Sequence, residues 1–312
     1  MLYKTLMFIS RLVRCLPYDL LLFIGKILGN IYYLVVKKQR NRAIAQMMPA
    51  LNISESEAKK IVRASFVNLA RNMLDILYMP NLTPENVDEY VEFEHKERID
   101  KAFAEGHGIV VVTGHVGTWE WMSGAVALNG YPVTAIAKMQ PNAEYSRALD
   151  DLRATVHVEI FTRGTSELLS AGRALKKGKI LGFLADQDGG PGGAFIPFLG
   201  KIASTPMGAA VFARKFGSPV LPMFIIRQPN GRHKVKVYEA MHYEDSGNVD
   251  EDLLKLTIDI TKIIGDVVKE YPTQWLWFQK RWNTPPEMQK KGKHHTVKNM
   301  AESEEKLYEK SH

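Results

Sequence analysis

A histidine and a glutamate follow the apolar run Ile109–Thr113, five residues apart, in Gly114-His115-Val116-Gly117-Thr118-Trp119-Glu120. If the run is a buried strand, His115 leaves its carboxyl end and Glu120 falls in the first turn of the next helix. A tight glycine-bearing turn can fold these side chains toward each other. The carboxylate would then hold one imidazole nitrogen as N–H and leave the other free to accept a proton. That is the orienter and base of a catalytic triad without an internal serine or cysteine, so the nucleophile would be a hydroxyl on the substrate. The plainer alternative is a helix-capping glutamate beside a loop histidine.

Two other loops after apolar runs carry candidate groups. Arg163 stands two residues past the strand expected at 156–161, where a guanidinium can hold a phosphate or stabilise an oxyanion. The segment 186–193 reads Asp186-Gln187-Asp188-Gly189-Gly190-Pro191-Gly192-Gly193, with four glycines and a proline in eight residues. It is no phosphate-binding P-loop, because no Gly-Lys-Ser/Thr follows. It is no calcium-binding EF-hand either, because Gly190 and Pro197 stand where that loop needs acids. Asp186 and Asp188 are candidates for binding substrate hydroxyls or orienting Arg163, or they shape the turn. His107, between two glycines, reads as a helix C-terminal residue. Trp275, Trp277 and Trp282 read as core or membrane-edge packing.

The elements that would position these groups follow from periodicity. Ser54-Glu55-Ser56-Glu57 is a capping-box helix start, and Val62, Phe66, Leu69, Met73 and Leu77 keep helical spacing up to Pro80. From residue 89 strands and helices alternate. Strands are expected near 91–93, at 109–113, 133–137, 156–161, 180–185 and 220–226, and at 233–238, the last at a sheet edge. Helices are expected at 96–105, 118–128, 142–155, 166–175, 206–216 and 250–270. Apolar strands alternating with helices imply an α/β fold with a largely parallel central sheet covered by helices on both faces. In such sheets ligands bind beyond the carboxyl ends of the strands, which is where all three loops lie.

The composition, 46% hydrophobic and 24% charged, excludes a disordered, collagen-like or polytopic membrane protein. A single cysteine, Cys15, excludes a disulfide framework and a multi-cysteine zinc site. The net charge of +7 is local: residues 1–42 hold eight basic groups and one acid, and the remaining 270 residues carry 33 of each sign. The basic pI therefore describes an N-terminal arm and not a nucleic-acid-binding body. Within that arm, residues 16–36 approach the length of a bilayer span, but Asp19 and Lys26 interrupt them. A membrane span, a helix lying on an anionic leaflet and a helix packed on the protein's own body all fit. Either membrane arrangement leaves the body in the cytosol, and a cleaved signal peptide is not expected. The organisation expected is a membrane-anchoring arm at 1–42, an α/β domain with N-terminal helices at 43–286, and a charged, mobile tail at 287–312.

Together these motifs resemble the bacterial lipid A biosynthesis ("late") acyltransferases, within the wider lysophospholipid acyltransferase superfamily. His115 and Glu120 match its His-x4-Asp/Glu pair. Ile160-Phe161-Thr162-Arg163 matches its second block, and Pro219-Val220-Leu221-Pro222 its late two-proline block. The stretches 185–190, 195–200 and 204–208 and the ending Tyr271–Trp277 with Lys280-Arg281-Trp282 look like the lipid A branch. The resemblance runs from about residue 10 to 286, and the Gly-Gly-Pro-Gly-Gly stretch departs from it in being longer in glycine. It implies acyl transfer from a thioester, acyl carrier protein or acyl-CoA, to a hydroxyl of a lipid A precursor or similar membrane glycolipid. His115 would be the base and Glu120 its orienter, with Arg163, Asp186 and Asp188 near the substrate and no metal or nucleotide cofactor required. It also implies an inner-membrane protein facing the cytosol. A phosphatidylinositol mannoside or lysophospholipid acceptor is an alternative. Two rival classes are a metal-dependent hydrolase built on His115, Asp186 and Asp188, and a non-catalytic lipid-binding protein.

Overall fold

The structure, a computed structural model, describes residues 1–137, 140–162 and 165–289. Arg163 and most of the charged tail, 290–312, lie outside the described residues.

Four helices come first: α1 (Leu2–Arg14), α2 (Tyr18–Val35), α3 (Lys37–Leu51) and α4 (Glu55–Tyr78). The capping box at Ser54 forms as expected, with Ser54 N–H donating to Glu57 Oε2 at 3.0 Å and Glu57 N–H to Ser54 Oγ at 3.3 Å. A short α5 (Val87–Tyr90) leads into β1 (Val91–Glu94) and α6 (Glu97–Ala104). The alternating core follows: β2 (Ile109–Thr113), α7 (Trp119–Leu128), β3 (Val133–Ala137), α8 (Ala143–Ala154), β4 (Glu159–Thr162), α9 (Thr165–Lys176) and β5 (Ile180–Leu184). After it come β6 (Ala194–Phe198), β7 (Lys201–Thr205), α10 (Gly208–Phe216), β8 (Val220–Arg227), β9 (His233–Val237) and α11 (Val249–Glu270).

Among the described residues, seven strands form one sheet in the order β1-β9-β8-β2-β5-β3-β4. Every neighbouring pair is parallel except β8 with β9. The α/β, mostly parallel architecture is therefore as the hydrophobic pattern implies. Because side chains alternate along a strand, β2 divides the core: Val110 and Val112 join the layer of α9, α10 and α11, while Ile109 and Val111 join that of α6, α7 and α8. Both faces are dry, so all five residues of β2 are buried.

Two expectations change. β9 is not at an edge but lies between β1 and β8. Its polar alternation marks one buried face, His233, Val235 and Val237, and one wetter face, where Lys236 reaches Glu270 and Tyr271. The antiparallel pair β6–β7 was not expected from the sequence, because glycines precede it and Pro197 sits within β6.

The arm is helical and lies against the body. α2 runs antiparallel along α4, and Tyr18, Leu21, Gly25 and Gly29 form its buried stripe. A Cβ on Gly29 would stand 2.4 Å from Val67 Cα, so glycine is required for the two backbones to approach this closely. The other side of α2 leaves Leu20, Phe23, Ile27, Leu28, Ile31, Leu34 and Val35 exposed.

Candidate active site

The parallel register decides which loops meet. Thr113 pairs with Leu184 across β2 and β5. Two residues further along each chain, His115 and Asp186 face each other. Asp186 Oδ1 lies 2.7 Å from His115 Nδ1, and Asp186 Oδ2 accepts the His115 backbone N–H at 2.8 Å. The same carboxylate accepts Trp275 Nε1–H at 2.7 Å and Gln279 Nε2–H at 3.1 Å. Asp186 is 1% exposed. Burial pushes its carboxyl up, but the His115 imidazole and these donors outweigh that and hold it below the usual carboxylate range.

The loop carrying His115 is clamped from both sides. Leu276 N–H donates to His115 O at 3.1 Å, Gly117 N–H to Gln274 O at 3.0 Å, and Asn72 Nδ2–H to Gly117 O at 2.6 Å. Gly117 has φ +57°, and a Cβ there would sit 2.0 Å from Ile225 O. Only glycine fits, and its turn presents the imidazole at the sheet's carboxyl edge. Arg227 locks the far side: its backbone exchanges hydrogen bonds with the Gln274 side chain, and its guanidinium binds Asp75, Asn72 and Tyr18.

Glu120 sits elsewhere. Its carboxylate pairs bidentately with Arg153, Oε2 to Nε at 2.8 Å and Oε1 to Nη2 at 2.6 Å, and accepts Trp119 Nε1–H at 3.2 Å. The sequence expectation put Glu120 at the imidazole nitrogen; the structure puts Asp186 there. The reason is geometric. The first turn of α7 carries Glu120 toward α8, whereas β5 runs beside β2 and delivers Asp186 in register. Burial would lower the Arg153 pKa, but Glu120 and Asp150 outweigh that and raise it, so the guanidinium keeps its charge.

Asp186, expected near the substrate, instead supports His115, and its two oxygens are engaged by four donors. Asp188 accepts Thr284 N–H and Oγ1–H, at 3.3 and 2.7 Å, and so ties the glycine-rich loop to the residues after Trp282. Among the described residues, no three His, Cys, Asp or Glu side chains are grouped to hold a metal ion. Trp275 and Trp277 are buried core residues, as expected, but the Trp275 hydrogen bond to Asp186 carries no local sequence signal.

Beside the histidine opens an apolar cavity of about 680 Å³, mouth included, between α7 and the sheet. Its walls include Val111, Val133, Ala135, Ile180, Gly182 and Met223, with Met122 and Val126 from α7. Its polar lining is Thr113, Thr134, Ser123, Trp119 and the Glu120–Arg153 pair. Trp119 joins the cavity to His115, since its ring meets the His115 ring edge-on at 4.8 Å between centroids. Thr113 Oγ is buried in this lining without a hydrogen-bond partner among the described residues.

A histidine paired with a carboxylate at the carboxyl edge of a mostly parallel sheet, next to an apolar cavity, is the arrangement of an α/β enzyme. The chain belongs to the bacterial lipid A biosynthesis acyltransferase family, whose pattern it matches over residues 3–284. It is 24% identical over 286 residues to a lipid A biosynthesis lauroyltransferase of Escherichia coli, covering 88% of this chain and 89% of that one. It is 23% identical over 274 residues to a lipid A biosynthesis palmitoleoyltransferase of the same organism, covering 87% of each. A phosphatidylinositol mannoside acyltransferase of Mycobacterium tuberculosis is 24% identical over 193 residues, 60% of this chain and 58% of that one. The protein is an acyltransferase that acts on a lipid acceptor.

Proposed function

We propose that the protein moves a fatty acyl chain from an acyl carrier protein thioester to a hydroxyl of a lipid A precursor or a similar membrane glycolipid. The observation that carries this reading is His115, propped by Asp186 at 2.7 Å and touching the Trp119 wall of the apolar cavity. With Nδ1–H donated to Asp186, His115 Nε2 accepts the acceptor's hydroxyl proton. The alkoxide oxygen bonds to the thioester carbonyl carbon, whose π electrons move to its oxygen. Collapse breaks the carbon–sulfur bond, and the thiolate takes the proton back from His115. An ester and a free thiol result. Asp186 keeps the imidazole in the right tautomer and stabilises the imidazolium, the part first expected of Glu120. Glu120 and Arg153 shape the cavity wall, and the cavity takes the acyl chain.

The arm supports work at a membrane. Its exposed apolar stripe on α2 lies near Lys37, Lys38 and Arg40, a pattern suited to an anionic leaflet. Among the described residues, Tyr18–Val35 is the one helix long and apolar enough to cross a bilayer. Its packing along α4 and its Tyr18 hydrogen bond to Asp75 at 2.9 Å favour a helix lying in the interface. In this reading the body faces the cytosol at the inner membrane.

A second acceptor, a phosphatidylinositol mannoside, is supported by the mycobacterial similarity. Mass spectrometry after incubation with fatty acyl thioesters of acyl carrier protein or CoA and each lipid discriminates. A gain of one acyl mass on a glucosamine-disaccharide lipid, lost by about 100- to 10,000-fold in His115→Ala, is expected. Undiminished turnover by a folded His115→Ala protein removes the base assignment.

A further inference from the structure

The free nitrogen of His115 is not bare. Gln187 Nε2 lies 3.3 Å from His115 Nε2. A side-chain amide nitrogen has only hydrogens to offer, so the imidazole nitrogen must be the acceptor. That requires the proton on Nδ1, where Asp186 accepts at 2.7 Å. Two consecutive residues of one loop thus select the same tautomer from opposite sides of the ring.

The support of Gln187 separates a fixed part from a movable one. Its backbone carbonyl accepts from Arg281 Nη1 at 3.3 Å. Arg281 is fully buried, binds Ser204 O and Thr205 Oγ1, and lies 4.7 Å from the centre of the Phe198 ring. The Gln187 side chain is exposed, and its other partners among the described residues are none. The anchored backbone holds the amide within reach of the base, while its rotatable bonds let it swing.

An acceptor hydroxyl must approach His115 Nε2 along the same lone pair, so it displaces the amide. The attacked carbonyl then stands next to that hydroxyl and hence next to the displaced amide. We propose that Gln187 is a further catalytic residue: it caps the base in the resting enzyme, and during attack it donates an N–H to the carbonyl oxygen as that oxygen gains the electron pair. When the carbon–sulfur bond breaks, the pair returns to the carbonyl and the amide recaps His115 after the thiolate has taken its proton. This rests on His115 being the base of the proposed reaction.

The test uses the full chain in three variants, with thermal melting to verify folding, which an exposed side chain should not disturb. The first readout needs no substrate. Diethyl pyrocarbonate modifies unprotonated imidazole, and peptide mass spectrometry reports His115 alone. Gln187→Ala should raise its rate about fivefold, the worth of one neutral hydrogen bond. The second readout is turnover of dodecanoyl acyl carrier protein, either to water or to a glucosamine-disaccharide lipid. Gln187→Met, similar in shape but without a donor, should lower kcat about 100- to 1,000-fold with KM little changed. Gln187→Glu should be as slow and should move the acid limb of the pH profile upward, because its anion favours imidazolium. An unchanged modification rate, or a Gln187→Met kcat within threefold of the parent, overturns the proposal. If His115→Ala is inactive while Gln187→Met is not, this inference alone fails; if His115→Ala keeps full activity, the base assignment fails with it.

Discussion

His115 and Asp186 are 71 residues apart in the chain and 2.7 Å apart in space. Their meeting follows from the pairing of β2 with β5, which places the ends of two strands distant in sequence side by side. This one contact separates the structure from the local reading of the His-x4-Glu motif. It predicts that Asp186→Asn, which leaves the shape of the site but can present an amide N–H to Nδ1, favours the wrong tautomer. Turnover should fall about 10³- to 10⁴-fold. Glu120→Gln should act mainly through Arg153, a half-buried guanidinium that keeps Asp150 at 3.1 Å but loses the charge of its other partner. Breaking a fully buried pair costs about 3–5 kcal/mol, so the loss here should fall below that, and removing both charges should cost less still. Denaturant titration of Glu120→Gln against Glu120→Gln/Arg153→Gln checks this: a double variant less stable than the single one would contradict it.

What was legible in the sequence was whatever depended on local period. The apolar run at 109–113, the capping box at Ser54 and the strand–helix alternation each carry their own pattern, and each element stands where that pattern puts it. The partner of His115 was not legible, because strand order is a non-local property. Glu120 was near in sequence and of the right type, and only the direction in which α7 carries it rules it out as the imidazole's partner. Gln187 was visible in the loop but had no periodic or spacing signal to raise it above Asp186 and Asp188. Lys234 and Lys236 suggested an edge, because a strand that is wet on one face and a strand open along one side produce the same alternation.

The cavity predicts control of chain length. Gly182 lies on β5 in the cavity wall, and a Cβ built there would be 3.6 Å from Ala135 Cβ, an ordinary contact. Gly182→Ala should therefore fold and fill space that an acyl chain would otherwise use. One methyl group in an apolar pocket is worth about 1–3 kcal/mol, so the preference between a long and a short acyl donor should move toward the short one about tenfold or more. Competition between two acyl thioesters, read as product masses, checks it. An unchanged product ratio would place the chain elsewhere.

The arm predicts where a membrane defect can be made without a folding defect. Deleting residues 1–42 removes Tyr18 from the buried Asp75–Arg227 network and so should destabilise the body as well. Charges on the outer stripe avoid this: Phe23→Asp and Ile27→Asp alter side chains that are 59% and 45% exposed. These variants should melt like the parent yet sediment poorly with anionic vesicles. Binding of the parent should weaken with salt, since each basic residue near an anionic surface contributes about 1 kcal/mol at low ionic strength. Full sedimentation of the double aspartate variant would point to another membrane surface.

The last prediction concerns pH and the same buried network. His233 is 1% exposed, packs on Trp121 with ring centroids 5.1 Å apart, and has Nε2 3.8 Å from Asp75 Oδ2. Burial lowers its pKa well below the usual histidine value, and the Arg227 and Arg232 charges add to that. The Tyr90 backbone opposes this without offsetting it. Folded His233 is therefore neutral where unfolded His233, with a pKa of about 6.5, takes a proton. Above that pH the two states bind protons alike, and the site contributes no slope. Below it the unfolded state binds more, so stability falls with pH by up to about 1.4 kcal/mol per unit until the folded pKa is reached. Urea titrations between pH 8 and pH 5 should show this loss, and His233→Gln, which cannot titrate, should flatten it in proportion. Parallel curves for parent and variant would mean that His233 is protonated in the folded protein and that Asp75 shares its charge with both neighbours.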